Sequence, residues 1–335
     1  MKSFKKVDKV YIKSNNNTNK IFNRYLFSLI PYIVFIIFYN LIWGSFKNIL
    51  NLFLATSISL VLSIIIALIF NTIKKEKRSF KSILIDDKNL IISLIIGLFN
   101  INSSIVITII SSIITYIIKN VQKKVTISSS LYGIVITIIL NHFTNNLDTP
   151  LINLTKLDYI NTFDKIVKPY GNILEYTVGN NYLSPIISII VFIYLFTKKS
   201  IKYNIVVAYT LTITLTMLSF GLINNMNIWY LFFQLTTGNI LFLTIFLGTD
   251  YSSTPTTGEG QFLYGLLLGI ITSILRFIIP ELSVVLTLII GPLLLTKFIN
   301  RISFKLRYNK KYNYLLISLT MIILLITNIV INIII

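Results

Sequence analysis

The stretch Gly248–Arg276, GTDYSSTPTTGEGQFLYGLLLGIITSILR, joins two apolar runs through a short polar connection. Trp229–Gly248 precedes the connection and Phe262–Ile279 follows it, and both runs are strongly apolar. At about 1.5 Å per residue, each is about long enough to cross ~30 Å of hydrocarbon as a helix. The connection consists of small and hydroxylated residues holding two acids, Asp250 and Glu259. A bare membrane anchor needs no such loop. The stretch therefore predicts a helical membrane protein with chemistry placed at the end of a span.

Composition agrees. Of 335 residues, 55% are hydrophobic and 12% charged, with a mean hydropathy of +0.80. Soluble domains carry about 25% charged residues, so the chain is an all-α polytopic integral membrane protein. It has no cysteine, which excludes a disulfide framework and thiolate metal sites. The single His142 has no imidazole partners, and zinc, copper or bis-histidine haem sites need several converging ligands. The net charge of +19 is not a nucleic-acid footprint. The lysines cluster in loops between apolar runs, where basic residues fix topology against an anionic leaflet.

Further runs at or near spanning length fall at Tyr25–Trp43, Leu50–Ile73, Ser103–Ile118, Ile127–Asn141, Ile205–Leu222, Leu282–Phe298 and Tyr314–Ile335. Two shorter ones are Leu90–Ile101 and Leu183–Phe196. Together they predict about 10–11 transmembrane helices. Leu90–Ile101 is set off from its neighbour only by Asn100, Asn102, Ser103 and Ser104. Such a break is either a helical hairpin or a pair of half-helices near 90–104. Non-helical backbone at membrane depth survives where protein buries it or water reaches it.

Basic residues orient the chain. The arm 1–24 carries Lys2, Lys5, Lys6, Lys9, Lys13, Lys20 and Arg24 and is expected in the cytoplasm. Alternation then places Lys74–Lys88, Lys119–Lys124, Lys198–Lys202, Gly248–Gln261 and Arg301–Lys311 inside. The expected organisation is a first transmembrane bundle over 25–142, an extracytoplasmic loop over 143–182 and a second bundle over 183–298. That bundle includes the 248–261 cytoplasmic loop, and a basic loop with an extra C-terminal span fills 299–335. A long polar arm before the first apolar run is unlike a cleavable signal.

The 248–276 stretch resembles a signature of the D subunit of the Rnf-type electron transport complex, a family related to the B subunit of the sodium-pumping NADH:quinone reductase. The matching residues are Thr249, Asp250, Tyr251, Thr254, Pro255, Thr257, Gly260, Gln261, Tyr264, Gly265, Gly269 and Arg276. The outer segment carries a second resemblance. Rnf D subunits hold an FMN, phosphate-linked to a threonine, in a sequence near Ser-Gly-Ala-Thr-Pro-Leu. Here Thr149-Pro150-Leu151 matches, while Asn146, Leu147 and Asp148 replace the residues before it. Asp148 puts a carboxylate beside the incoming phosphate, where like charges repel. Thr149-Pro150 also reads simply as the opening of a surface turn. Farther on, Asn172 lies in a Gly-Asn pair, and Gly179 heads the counterpart of a Gly-Glu-Thr-Ser motif whose acid is Asn180 or Asn181 here.

The resemblance implies a flavin-carrying membrane subunit that passes electrons between redox centres, coupled to Na+ or H+ translocation. FMN would sit on Thr149, placed there by a flavin transferase, and a second flavin such as riboflavin would sit among the spans. Candidate cofactor-binding residues are Thr149, Asn172, Gly179, Asp250, Thr254 and Thr257. Beside hydroxyls and glycine N–H groups, Asp250 can accept from a flavin ring N–H or ribityl hydroxyl, take part in an ion path, or merely end a helix. Glu259 reads as a solvated loop acid, and Arg276 as an interfacial side chain reaching for water. Other redox centres must lie on partner subunits, because the chain has neither iron–sulfur cysteines nor a dinucleotide fingerprint. Two other readings stay open: a diverged paralogue in flavin-based extracellular electron transfer without ion pumping, and a cofactor-free transporter built on broken helices.

Overall fold

The structure, a computed structural model, describes residues 18–42, 46–74, 88–121, 127–144, 183–223, 229–251, 253–279 and 282–308. Among them every regular element is helical. The first half comprises α1 (Thr18–Ile42), α2 (Phe46–Lys74), α3 (Asn89–Phe99), α4 (Ile105–Val121) and α5 (Ser130–Phe143), the last preceded by a 3-10 turn at Ile127–Ser129. The second half comprises α6 (Pro185–Thr197), α7 (Tyr203–Ile223), α8 (Trp229–Thr236), α9 (Ile240–Leu243), α10 (Gly258–Ile278), α11 (Ser283–Ile290) and α12 (Thr296–Tyr308). A π turn at Thr244–Gly248 prolongs α9, and another at Gly291–Leu295 joins α11 to α12.

Five helices are long and apolar enough to cross a membrane: Lys20–Ile42, Phe46–Lys74, Tyr203–Ile223, Gly258–Ile278 and Ser283–Ser303. The α8 and α9 segments make a sixth crossing if taken as one span bent by 42°. Four more apolar helices, α3 to α6, have 10–17 residues. The expected span Tyr314–Ile335 lies outside the described residues.

The break near residue 100 is a hairpin of unequal arms. At 11 residues, α3 is only about 16 Å long, about half a bilayer core, whereas α4 has 17 residues. Asn100 holds the turn. Its amide donates to Ile96 O (2.8 Å), and its Oδ1 accepts from the Thr137 hydroxyl of α5 (3.2 Å). Nearly all of α3 is buried, so its broken end meets protein rather than lipid.

Core and lipid faces are sorted by helical period. On α1, Tyr25, Leu29, Tyr32 and Ile36 are buried at spacings that keep them on one stripe, while Phe27, Ile30, Val34, Phe38 and Leu41 are exposed. The outward side chains are as apolar as the inward ones, as lipid contact requires. Helices then associate through small residues and hydroxyls. The Ser59 hydroxyl of α2 donates to Ser93 O of α3 (2.9 Å), and the Tyr32 hydroxyl of α1 donates to Ser188 Oγ of α6 (2.8 Å).

The two halves meet at both ends of their helix series, with α1 against α6 and α5 against α11. The most extensive pairing is α7 with α10. Two glycines one helical turn apart allow it. A Cβ on Gly265 would lie 2.6 Å from Ile205 O, and one on Gly269 would overlap the Thr212 hydroxyl.

Candidate functional site

Local sequence explains why the chain leaves the helix at 248. The Thr244 hydroxyl bonds back to Ile240 O, and Thr249 Oγ1 donates to Ile245 O (2.6 Å). Threonines bonding their own helix carbonyls loosen the regular ladder, and here the segment between them is a π turn. Such turns are frequent at functional sites. Beyond it, Asp250, Thr254 and Thr257 build the connection to α10. Thr254 Oγ1 donates to Asp250 O (2.7 Å), and Thr257 caps α10 by accepting the Gly260 N–H (3.1 Å). The Gln261 amide donates to Pro255 O (3.3 Å). The loop is therefore tied to itself before anything else touches it.

Residues from both halves then close around it. Tyr25 of α1 hydrogen-bonds the Thr249 hydroxyl (3.1 Å). The backbone N–H of Ser128, in the turn before α5, donates to Asp250 Oδ2 (3.4 Å). Lys202, in the connection from α6 to α7, donates to Thr254 Oγ1 (2.6 Å) and to the carbonyls of Tyr251, Thr254 and Pro255. Asn300 of α12 accepts the Thr256 N–H (3.4 Å). Asp250 is only 4% exposed at this junction.

Lysines outnumber the acid there. Lys88 precedes α3 in a left-handed conformation (φ 59°), with its ammonium over the Phe22 ring. Burial holds that ammonium below the usual lysine range, and the Asp250 charge pulls it partly back. Burial likewise pushes Lys202 down to about 8, again opposed by Asp250. The buried Lys119 of α4 donates to Asn89 Oδ1 at the start of α3. Buried charges need partners, and here each is held by opposite charge, amide, hydroxyl or carbonyl oxygen.

Lys88, Lys202 and Asp250 come from connections that the alternation of spans puts on one side of the membrane, and Ser128 opens the run that follows another of them. The structure brings them to one end of the bundle. Thr149, Asn172 and Gly179 lie outside the described residues. Glu259 is exposed, as expected of a solvated acid.

Arg276 differs from expectation. It is 1% exposed, in the last turn of α10, and packs against Gly238 rather than reaching water. Gly238 (φ 75°) and Asn239 (φ 55°) break the span between α8 and α9. The guanidinium lies alongside Gly238, at ordinary contact distance from where a Cβ would stand. Tyr209 and Tyr230 flank it, and Tyr209 leads into a hydroxyl chain through Thr272 to Thr287, each step 2.9 Å. An intramembrane cation held inside a bundle marks a functional region more often than a structural one.

Sequence reading singled out Asp250 but not Lys202, Lys88, Ser128 and Tyr25, which the structure gathers at its end of the bundle. A lysine just ahead of an apolar run reads as a topology signal, and nothing in its spacing says that it folds inward. Among the described residues, no group of His, Cys, Asp and Glu could hold a metal ion. What the described residues offer a flavin is hydrogen-bonding partners: a carboxylate that accepts from N–H or ribityl O–H groups, beside ammonium groups that balance its charge.

Comparison with curated proteins finds no match. A sequence profile of the NQR2, RnfD, RnfE family matches residues 6–300. The chain therefore belongs to the NQR2, RnfD, RnfE family and is a multi-pass membrane subunit of the Rnf/Nqr type of electron transport complex.

Proposed function

We propose that this subunit carries flavin and passes electrons between redox centres of its complex, coupled to Na+ or H+ translocation. FMN is attached at Thr149 by a flavin transferase, and a second flavin such as riboflavin lies among the spans. The flavin supplies reversible one- and two-electron chemistry, while the protein supplies position, dielectric and hydrogen bonds. The N-terminal arm faces the cytoplasm, following its excess of Lys and Arg, and the Asp250 end faces the same side by alternation of the spans.

The observation that carries this reading is the buried Asp250 junction. The stretch that most resembles the family is also where a half-length helix, a π turn and both halves of the bundle converge on one carboxylate. In this reading Asp250 accepts hydrogen bonds at the polar edge of the inner flavin. Lys202 and Ser128 hold the Asp250 loop in register, and Lys88 and Lys119 offset negative charge as it arrives. Other subunits bring the remaining redox centres.

The test is in-gel fluorescence. The chain and its Thr149→Ala variant are produced in a host supplying the flavin transferase and run on a denaturing gel under ultraviolet light. A known flavinylated subunit serves as positive control. A fluorescent band that disappears in the variant supports FMN at Thr149. A dark wild-type band beside a bright control sinks covalent flavinylation and favours the diverged-paralogue or cofactor-free readings.

A further inference from the structure

The Lys202 ammonium sits inside an almost complete shell. Four oxygens surround Nζ: Thr254 Oγ1 at 2.6 Å, Thr254 O at 3.2 Å, Pro255 O at 3.2 Å and Tyr251 O at 3.3 Å. The Tyr251 ring covers another side, 5.1 Å from Nζ to centroid. Thr254 donates its own hydroxyl hydrogen to Asp250 O, so the lone pairs of Oγ1 are left to face the ammonium. Three carbonyls and a hydroxyl, all from one five-residue segment and all turned inward, form an arrangement that ordinarily encloses a cation.

Carbonyl oxygens aimed at a common point repel one another, and a positive charge between them offsets that repulsion, adding to the bonds by which Thr254 and Gln261 already tie the loop to itself. An ammonium has only three hydrogens, yet four oxygens converge. Of the four, Pro255 O also accepts from the Gln261 amide (3.3 Å) and shares the ammonium with the rest. The three carbonyl distances, 3.2–3.3 Å, are wider than the roughly 2.3–2.6 Å at which oxygen holds Ca2+, so the space suits an ammonium or a large monovalent ion.

We propose that the carbonyls of Tyr251, Thr254 and Pro255, with the Thr254 hydroxyl, form a monovalent-cation cage whose resident cation is the tethered ammonium of Lys202. Lys202 is thereby a positioning residue. It sets the curl of the loop and, through Thr254, the placement of Asp250. While its side chain is in place, the cage is closed to free cations. Removing the side chain vacates the cage, which then takes a free cation of ammonium size. None of this depends on flavin or on ion coupling.

The test compares the full-length chain with Lys202→Ala, both purified in detergent. Melting temperatures are read in choline, sodium, potassium, ammonium and methylammonium chloride at equal ionic strength. The wild type should be indifferent to the cation. The variant should melt lower in choline and recover a substantial part of the loss in ammonium, methylammonium or potassium, saturably with concentration. Equal melting of the variant in all five salts would overturn the proposal, as would equal cation dependence in the wild type.

The absence of cysteine elsewhere in the chain allows a second arm. Lys202→Cys carries a unique thiol, which bromoethylamine converts to an aminoethyl side chain of lysine length and iodoacetamide converts to a neutral amide. The aminoethylated protein should regain wild-type melting and lose its cation dependence, while the amide should do neither. Equal rescue by both reagents points to simple space filling and overturns the cage. Failure of either variant to yield folded protein even when made in ammonium buffer also counts against it, because a vacated cage should accept the free ion.

Discussion

Arg276 packs against Gly238: a Cβ on that glycine would stand 3.6 Å from Nη1 and 3.7 Å from Nη2 of the guanidinium. That is ordinary contact distance, so the space itself tolerates a methyl group. The backbone is what resists. At φ 75° an L-residue is strained by about 1–2 kcal/mol, and β-branched residues suffer most. Gly238→Ala should lower stability by about 1–2 kcal/mol, Gly238→Asn by less and Gly238→Val by more, in detergent unfolding. The reverse order, with Asn worse than Val, would mean that packing against Arg276 rather than backbone strain limits the site.

Gly269 poses the opposite case. It is helical, so its backbone needs no glycine, but a Cβ there would overlap the Thr212 hydroxyl of α7 and come within 3.1 Å of Tyr209 O. Close backbone approach is how helices associate without a hydrophobic drive between them. Gly269→Ala should cost about 1–3 kcal/mol, the usual range for overpacking, and pairing it with Thr212→Ser should leave the loss in place, because the clashing hydroxyl remains. Thr212→Ala in the Gly269→Ala background should restore part of it, and a double-mutant cycle on unfolding free energies reads the coupling. Strict additivity would show that α7 and α10 do not meet at this pair.

The family-like signature thus mixes two kinds of residue. Gly265 and Gly269 are helix-packing residues, Thr257 is a cap, and Asp250 sits at the buried junction. The sequence made the membrane class, the helical content and the break near Asn100 readable, because long apolar runs and tight polar turns are local features. It also placed Lys88, Lys202 and Asp250 on one side, because alternation is arithmetic. The inward turn of Lys202 and the burial of Arg276 were not readable. Each depends on a partner far along the chain, Thr254 for one and Gly238 for the other. A long basic side chain near a span's end has the same local signature whether it reaches water or protein.

Thr257 gives a smaller and cleaner test. Its hydroxyl accepts the Gly260 N–H at the start of α10, one of the donors a helix leaves open at its first turn. Thr257→Ala should cost about 1 kcal/mol, and Thr257→Ser should recover most of it in the same unfolding measurement. No loss in the alanine variant would mean that water caps α10 equally well.

The Lys202 ammonium carries a pH signature whose sign can be worked out. Burial pushes it down to about 8 from an ordinary 10.5, with Asp250 acting the other way. Below about 8 both folded and unfolded chains hold the proton, and the folded chain bears the full cost of burying the charge. From there up to about 10.5 the unfolded chain holds more protons, so this group's contribution to stability rises with pH across that window. Asp250→Asn removes the opposing charge and should move the midpoint below 8. The measurement is the rate of lysine acylation against pH at Lys202, read by peptide mass spectrometry, since only the neutral amine reacts. A midpoint near 10.5 in the wild type would show that the side chain is solvated. A midpoint that climbs in Asp250→Asn would show that the carboxylate does not act on this ammonium.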